Sequence, residues 1–107
     1  MNALEFRFAF FARDFEKSVN FYQNILSMNY IGGWDRPNGK GVLLSAGGTA
    51  VIEIYGAPDG ETYEGPRPSG LNLALRLENA PAVDAFYQRL AGSGLPEAAL
   101  EPPQDRY

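Results

Sequence analysis

The sequence predicts an α+β fold in which one βαβββ module is used twice, the second copy incomplete. The first observation behind this is an internal repeat. Shifted by 65 residues, the 107-residue chain overlays itself without a gap: Phe21-Tyr22-Gln23 falls on Phe86-Tyr87-Gln88, Phe6 to Phe10 on Leu71 to Leu75, and Asp14 on Asn79. The second is a change of apolar period from two to 3.6 within each copy, the mark of a strand followed by a helix. The third is residues 57–70, rich in Gly and Pro and without a sustained apolar period. The chain is therefore read as one domain, with a first module over 1–56, a linker over 57–70 and a partial second module over 71–107.

Residues 4–12 alternate as a strand does, with Leu4, Phe6, Phe8 and Phe10 on one face and Glu5, Arg7, Ala9 and Phe11 on the other. Phe6, Phe8, Phe10 and Phe21 are taken as core. Asp14 is placed to cap a helix running to about residue 26, whose apolar face holds Phe15, Val19, Tyr22, Ile25 and Leu26. Strands are predicted over 28–35, 41–46 and 49–55, the first two joined through Asn38-Gly39. Gly32-Gly33 reads as a bend or bulge.

The second copy opens with Leu71, Leu73, Leu75 and Leu77 alternating with Asn72, Ala74, Arg76 and Glu78, again a predicted strand. Asn79 is the matching cap, Pro81 suits a first helical turn, and Gly92 and Gly94 are natural stops. Counterparts of the first module's last two strands would fall largely past residue 107, so either the sequence continues or the sheet is expected to close differently.

Composition narrows the chemistry. A formal charge of −4, with no Lys/Arg run, argues against nucleic acid. No apolar stretch is long enough to span a bilayer, and no signal peptide is evident, so a cytoplasmic protein without a membrane partner is expected. The chain has neither cysteine nor histidine. That excludes disulfides, thiolate sites, Ser-His-Asp catalysis and histidine metal triads. Asp59, Glu61 and Glu64 read as solvated linker charges.

A strand ending in Arg13-Asp14, followed by Phe15-Glu16-Lys17-Ser18 and Phe21-Tyr22, resembles the vicinal oxygen chelate superfamily of glyoxalases, bleomycin resistance proteins and extradiol dioxygenases. The βαβββ order and the Val51-Ile52-Glu53-Ile54 strand agree with it. The resemblance implies paired modules forming a curved mixed sheet around a cavity. In active relatives a divalent metal sits there, held from the first and fourth strands of each module.

Carried over by position, those sites fall on Arg7, Glu53 and Asn72, and the fourth falls past residue 107. A guanidinium offers no lone pair, so Glu53 is the one retained ligand-type residue. No cofactor is therefore expected, a divalent metal being the less favoured option. Arg7 and Glu53, on neighbouring strands, are expected within about 4 Å of each other as a charge-assisted pair, bidentate if the geometry allows. The candidate cavity residues are Arg7, Glu53, Asn72, Trp34, Tyr55 and Phe11; the structural alternatives are a cross-strand pair for Arg7 and Glu53, bonding to backbone groups for Asn72 and core filling for Trp34 and Tyr55.

Three functions follow from the resemblance. One is a metal-independent small-molecule binder using an inter-module or dimer cavity. Another is a metal-dependent lyase, isomerase or dioxygenase. The third is a degenerate or truncated member with an assembly role. A homodimer is expected.

Overall fold

The computed structural model describes residues 1–66 and 70–104. By its contacts the chain divides into two units, Met1–Pro66 and Arg67–Tyr107.

The first unit is a four-stranded mixed sheet with a helix on one face. Its elements are β1 (Phe6–Phe11), α1 (Phe15–Asn20), β2 (Asn29–Arg36), β3 (Gly39–Gly47) and β4 (Ala50–Gly56). The sheet order is β1-β4-β3-β2, with β1 parallel to β4 and the other pairs antiparallel. The first and fourth strands are thus neighbours. The parallel β1/β4 pair requires the crossover that α1 supplies.

Local chemistry explains most of these boundaries. Asp14 caps α1, its carboxylate accepting from Lys17 N–H at 3.1 Å. The helix does not run on as a plain α-helix: residues Phe21–Ile25 form a π-helical turn, in which Leu26 N–H reaches the Phe21 carbonyl at 2.9 Å. Ser27 follows at φ 59°, reversing the chain into β2. A register shift between Tyr30 and Gly32 confirms the bulge read from the glycine pair. The β2–β3 turn sits one residue earlier than predicted, on Pro37-Asn38, because Arg36 pairs with Gly39. Pro37 has no N–H to give a ladder, so it falls in the turn.

The core lies between the helical segment and one sheet face. Ala12, Met28, Leu44, Ile52 and Ile54 are buried, flanked by Phe10, Phe15, Val19, Tyr22, Leu26 and Val42. Leu44 and Ile54 are fully enclosed, each worth roughly 1.5–3 kcal/mol of apolar transfer. Gly56 lets α1 approach: a Cβ there would lie 2.8 Å from the Phe15 ring. Phe6, expected in the core, is 73% exposed. It begins β1, whose outer edge is unpaired among the described residues.

In the second unit, α2 (Ala80–Ala91) is capped by Asn79, which accepts from Ala82 N–H at 2.9 Å, and Gly92 ends it. A 3₁₀ turn covers Glu97–Ala99. The predicted strand over 71–77 is a correction: these residues form none, and all are exposed. The alternation is present, but a strand also needs a ladder partner. β1 has β4; among the described residues no strand pairs with 71–77. No described residue from 70 to 104 is buried.

Candidate functional site

The face of the sheet opposite α1 carries the polar and aromatic residues singled out in the sequence. Register fixes this. Arg7, Ala9 and Phe11 on β1 lie beside Val51, Glu53 and Tyr55 on β4. Tyr55 lies beside Gly41 on β3, and Gly41 beside Trp34 on β2. Residues paired across neighbouring strands point to one face.

At the β1/β4 end, Arg7 Nη1 stands 3.7 Å from Glu53 Oε2. The pair is a single long contact and not a bidentate fork, because Arg7 Nε donates to Glu5 Oε1. Both Glu5 and Arg7 are substantially exposed, whereas Glu53 retains 14% of its side-chain exposure. The Glu5 carboxylate, foremost, holds the Arg7 guanidinium more firmly protonated than usual. Two carboxylates around one guanidinium leave this edge net negative. Burial, and then the adjacent Glu53 carboxylate, push the Tyr55 phenol above its ordinary value.

Beside this cluster runs a row of rings. Trp34 and Tyr55 have centroids 5.7 Å apart, Tyr55 and Phe11 4.9 Å, and Phe11 and Tyr63 4.9 Å with planes only 16° apart. Gly41 makes the first link possible: a Cβ there would run into the Trp34 indole, so the ring lies flat over bare backbone. Phe11 remains 51% exposed.

Five of the six candidates, Arg7, Glu53, Trp34, Tyr55 and Phe11, therefore share one face. Asn72 lies in the second unit, exposed and outside any strand. Two participants, Glu5 and Tyr63, are not among the sequence candidates, although Glu5 is placed on the face of Arg7. Glu5 alternates with Arg7 and could have been found from that spacing; Tyr63, in the Gly/Pro-rich linker, carried no periodic signal. Asp59, read as a solvated charge, pairs with Lys40 at 3.0 Å. Two grooves of about 420 and 480 Å³ flank Lys40. The Arg7–Glu53 pair lines neither of them.

The glyoxalase/bleomycin resistance protein/dioxygenase superfamily pattern matches residues 6–106. The chain belongs to that superfamily. Among solved structures it is similar to the Bacillus subtilis YycE protein, of unknown function and provisionally grouped as a glyoxalase/fosfomycin resistance protein. That match has a TM-score of 0.67 and 23% identity, over 86% of this chain and 68% of YycE. It is also similar to SMU.1112c, with a TM-score of 0.65 and 27% identity, over 88% of this chain and 76% of the other. No curated protein matches the chain significantly.

Members of this superfamily often bind divalent metals, and the donor set among the described residues does not fit one. The first-strand position holds Arg7, which has no lone pair, and its cation stands against the Glu53 carboxylate. Among the described residues no three His, Cys, Asp or Glu side chains gather as a metal set. Glu53, which like Glu5 is already ion-paired with Arg7, is a poor anchor for a divalent ion.

Proposed function

We propose that this superfamily member is a metal-independent binder of flat aromatic small molecules. The observation that carries the reading is the row Trp34–Tyr55–Phe11 beside a guanidinium–carboxylate pair at the family's metal position. Aromatic side chains offer stacking surface at low conformational cost, and their faces are electron-rich. With the net negative edge at Glu5, Arg7 and Glu53, the face favours a planar cation over a planar anion. Arg7 takes over the charge-balancing place of a metal, without its Lewis acidity. We take the working form to be a homodimer that encloses this face.

The test is titration, in the presence of EDTA, with proflavine as planar cation and 2-naphthoate as planar anion. Trp34, the single tryptophan, reports binding through its emission. Saturable binding, stronger for proflavine and lost in Phe11→Ala, supports the reading. Stoichiometric divalent metal in the purified protein, needed for binding, would turn it toward the metal-dependent enzymes of the superfamily.

A further inference from the structure

The strap that leaves β4 returns to the aromatic face. Its start is tied down by the Lys40–Asp59 ion pair at 3.0 Å and by a turn in which Glu61 N–H donates to the Pro58 carbonyl at 3.0 Å. Gly60, at φ 83°, redirects the chain within that turn, a conformation other residues adopt at a cost. Past the turn, the Tyr63 ring stacks on Phe11 of β1. Gly65 accommodates that ring, since a Cβ there would run into the phenol.

The Phe11–Tyr63 contact differs from the other links of the row. Trp34 and Tyr55 are inclined by 59°, and Tyr55 and Phe11 by 35°; Phe11 and Tyr63 are nearly parallel at 16°. The first three rings stand on strands that the sheet fixes. The fourth is carried by a tether outside the sheet. Near-parallel offset stacking is the geometry that a flat ligand would adopt on Phe11.

We infer that Tyr63 is a built-in occupant of the ring-stacking position on Phe11, and that a planar aromatic ligand binds by displacing it. The inference rests on the reading of this face as a binder of flat molecules. It sets a size rule as well. A ligand must offer more stacking area than a phenol to gain by the exchange, so fused-ring molecules bind and single-ring ones do not.

The experiment is proflavine titration of the full chain and of Tyr63→Ala, Tyr63→Phe and Phe11→Ala, with p-cresol as the single-ring comparison. Removing the occupant tightens proflavine binding by roughly two- to twelvefold in Tyr63→Ala, the range of one aromatic pair. Tyr63→Phe keeps the ring and binds as the parent does. Phe11→Ala loses binding whether or not Tyr63 is present. Circular dichroism confirms that each variant is folded. Tyr63→Ser provides a second removal should Tyr63→Ala not fold. Equal or weaker binding by the Tyr63 removals, with Phe11-dependent binding intact, overturns the inference and leaves the functional reading standing. Absence of saturable proflavine binding in both parent and Tyr63→Ala overturns the functional reading itself.

Discussion

Tyr22 sits where a phenol is awkward to ionise. It packs against the core cluster, 5.7 Å from the Phe10 ring, and burial pushes its phenol above the ordinary tyrosine value. Tyr55 is shifted in the same direction, by burial first and then by Glu53. A group whose folded pKa is raised holds its proton more tightly when native. Its stabilisation is then complete below the unfolded value of about 10 and is lost as pH climbs through the folded value. The protein should lose stability as pH rises above about 10, and Tyr22→Phe should make that loss shallower. Urea midpoints measured across this range check it. Lys40 is also held protonated more firmly than usual, chiefly by Asp59, and so shifts stability in the same direction. The pair is exposed on its Asp59 side, and such pairs contribute little. If Tyr22→Phe leaves the alkaline slope unchanged, Tyr22 is not among its causes.

Ser27 is the strained point between the helical segment and β2. At φ 59° it occupies the left-handed region, which costs an L-residue about 1 kcal/mol and suits glycine after a helix end. Ser27→Gly should stabilise the protein by a few tenths to about 1 kcal/mol, because glycine's larger unfolded-state entropy offsets part of the relief. Ser27→Ala should give no gain, and the denaturation midpoints of the two variants decide the point. This junction also shows what the sequence could express. The strands of the first unit were legible because a sheet buried on one face forces alternation. Arg7, Phe11, Glu53 and Tyr55 were assignable to one face by the same period. The π-helical turn over Phe21–Ile25 was not legible, since its apolar spacing also fits an α-helix. Residues 71–77 alternate as faithfully as β1, yet alternation records a preference and a ladder needs a second strand. Tyr63 was hidden because a linker has no period against which a contact can be read.

At the scale of the whole molecule, stability is unevenly shared. Every buried residue among those described lies between Ala12 and Gly56, while from residue 70 to 104 none is buried. Capping by Asn79 and the stop at Gly92 define α2, yet an isolated helix of 12 residues is marginal in water. The row Leu71, Leu73, Leu75 and Leu77, exposed by 62, 41, 45 and 36%, adds apolar surface that no other described residue buries. Unpaired backbone beside alternating leucines is the kind of edge that another chain can complete. Native-state hydrogen exchange separates the two regimes. At low protein concentration the amides of β3 and β4 around Leu44 and Ile54 should be the slowest, and those of α2 roughly 100-fold faster or more. If the homodimer proposed above covers residues 71–77, their protection must rise with protein concentration, in step with the mass seen by sedimentation. Protection of these residues that is independent of concentration would remove them from the dimer contact.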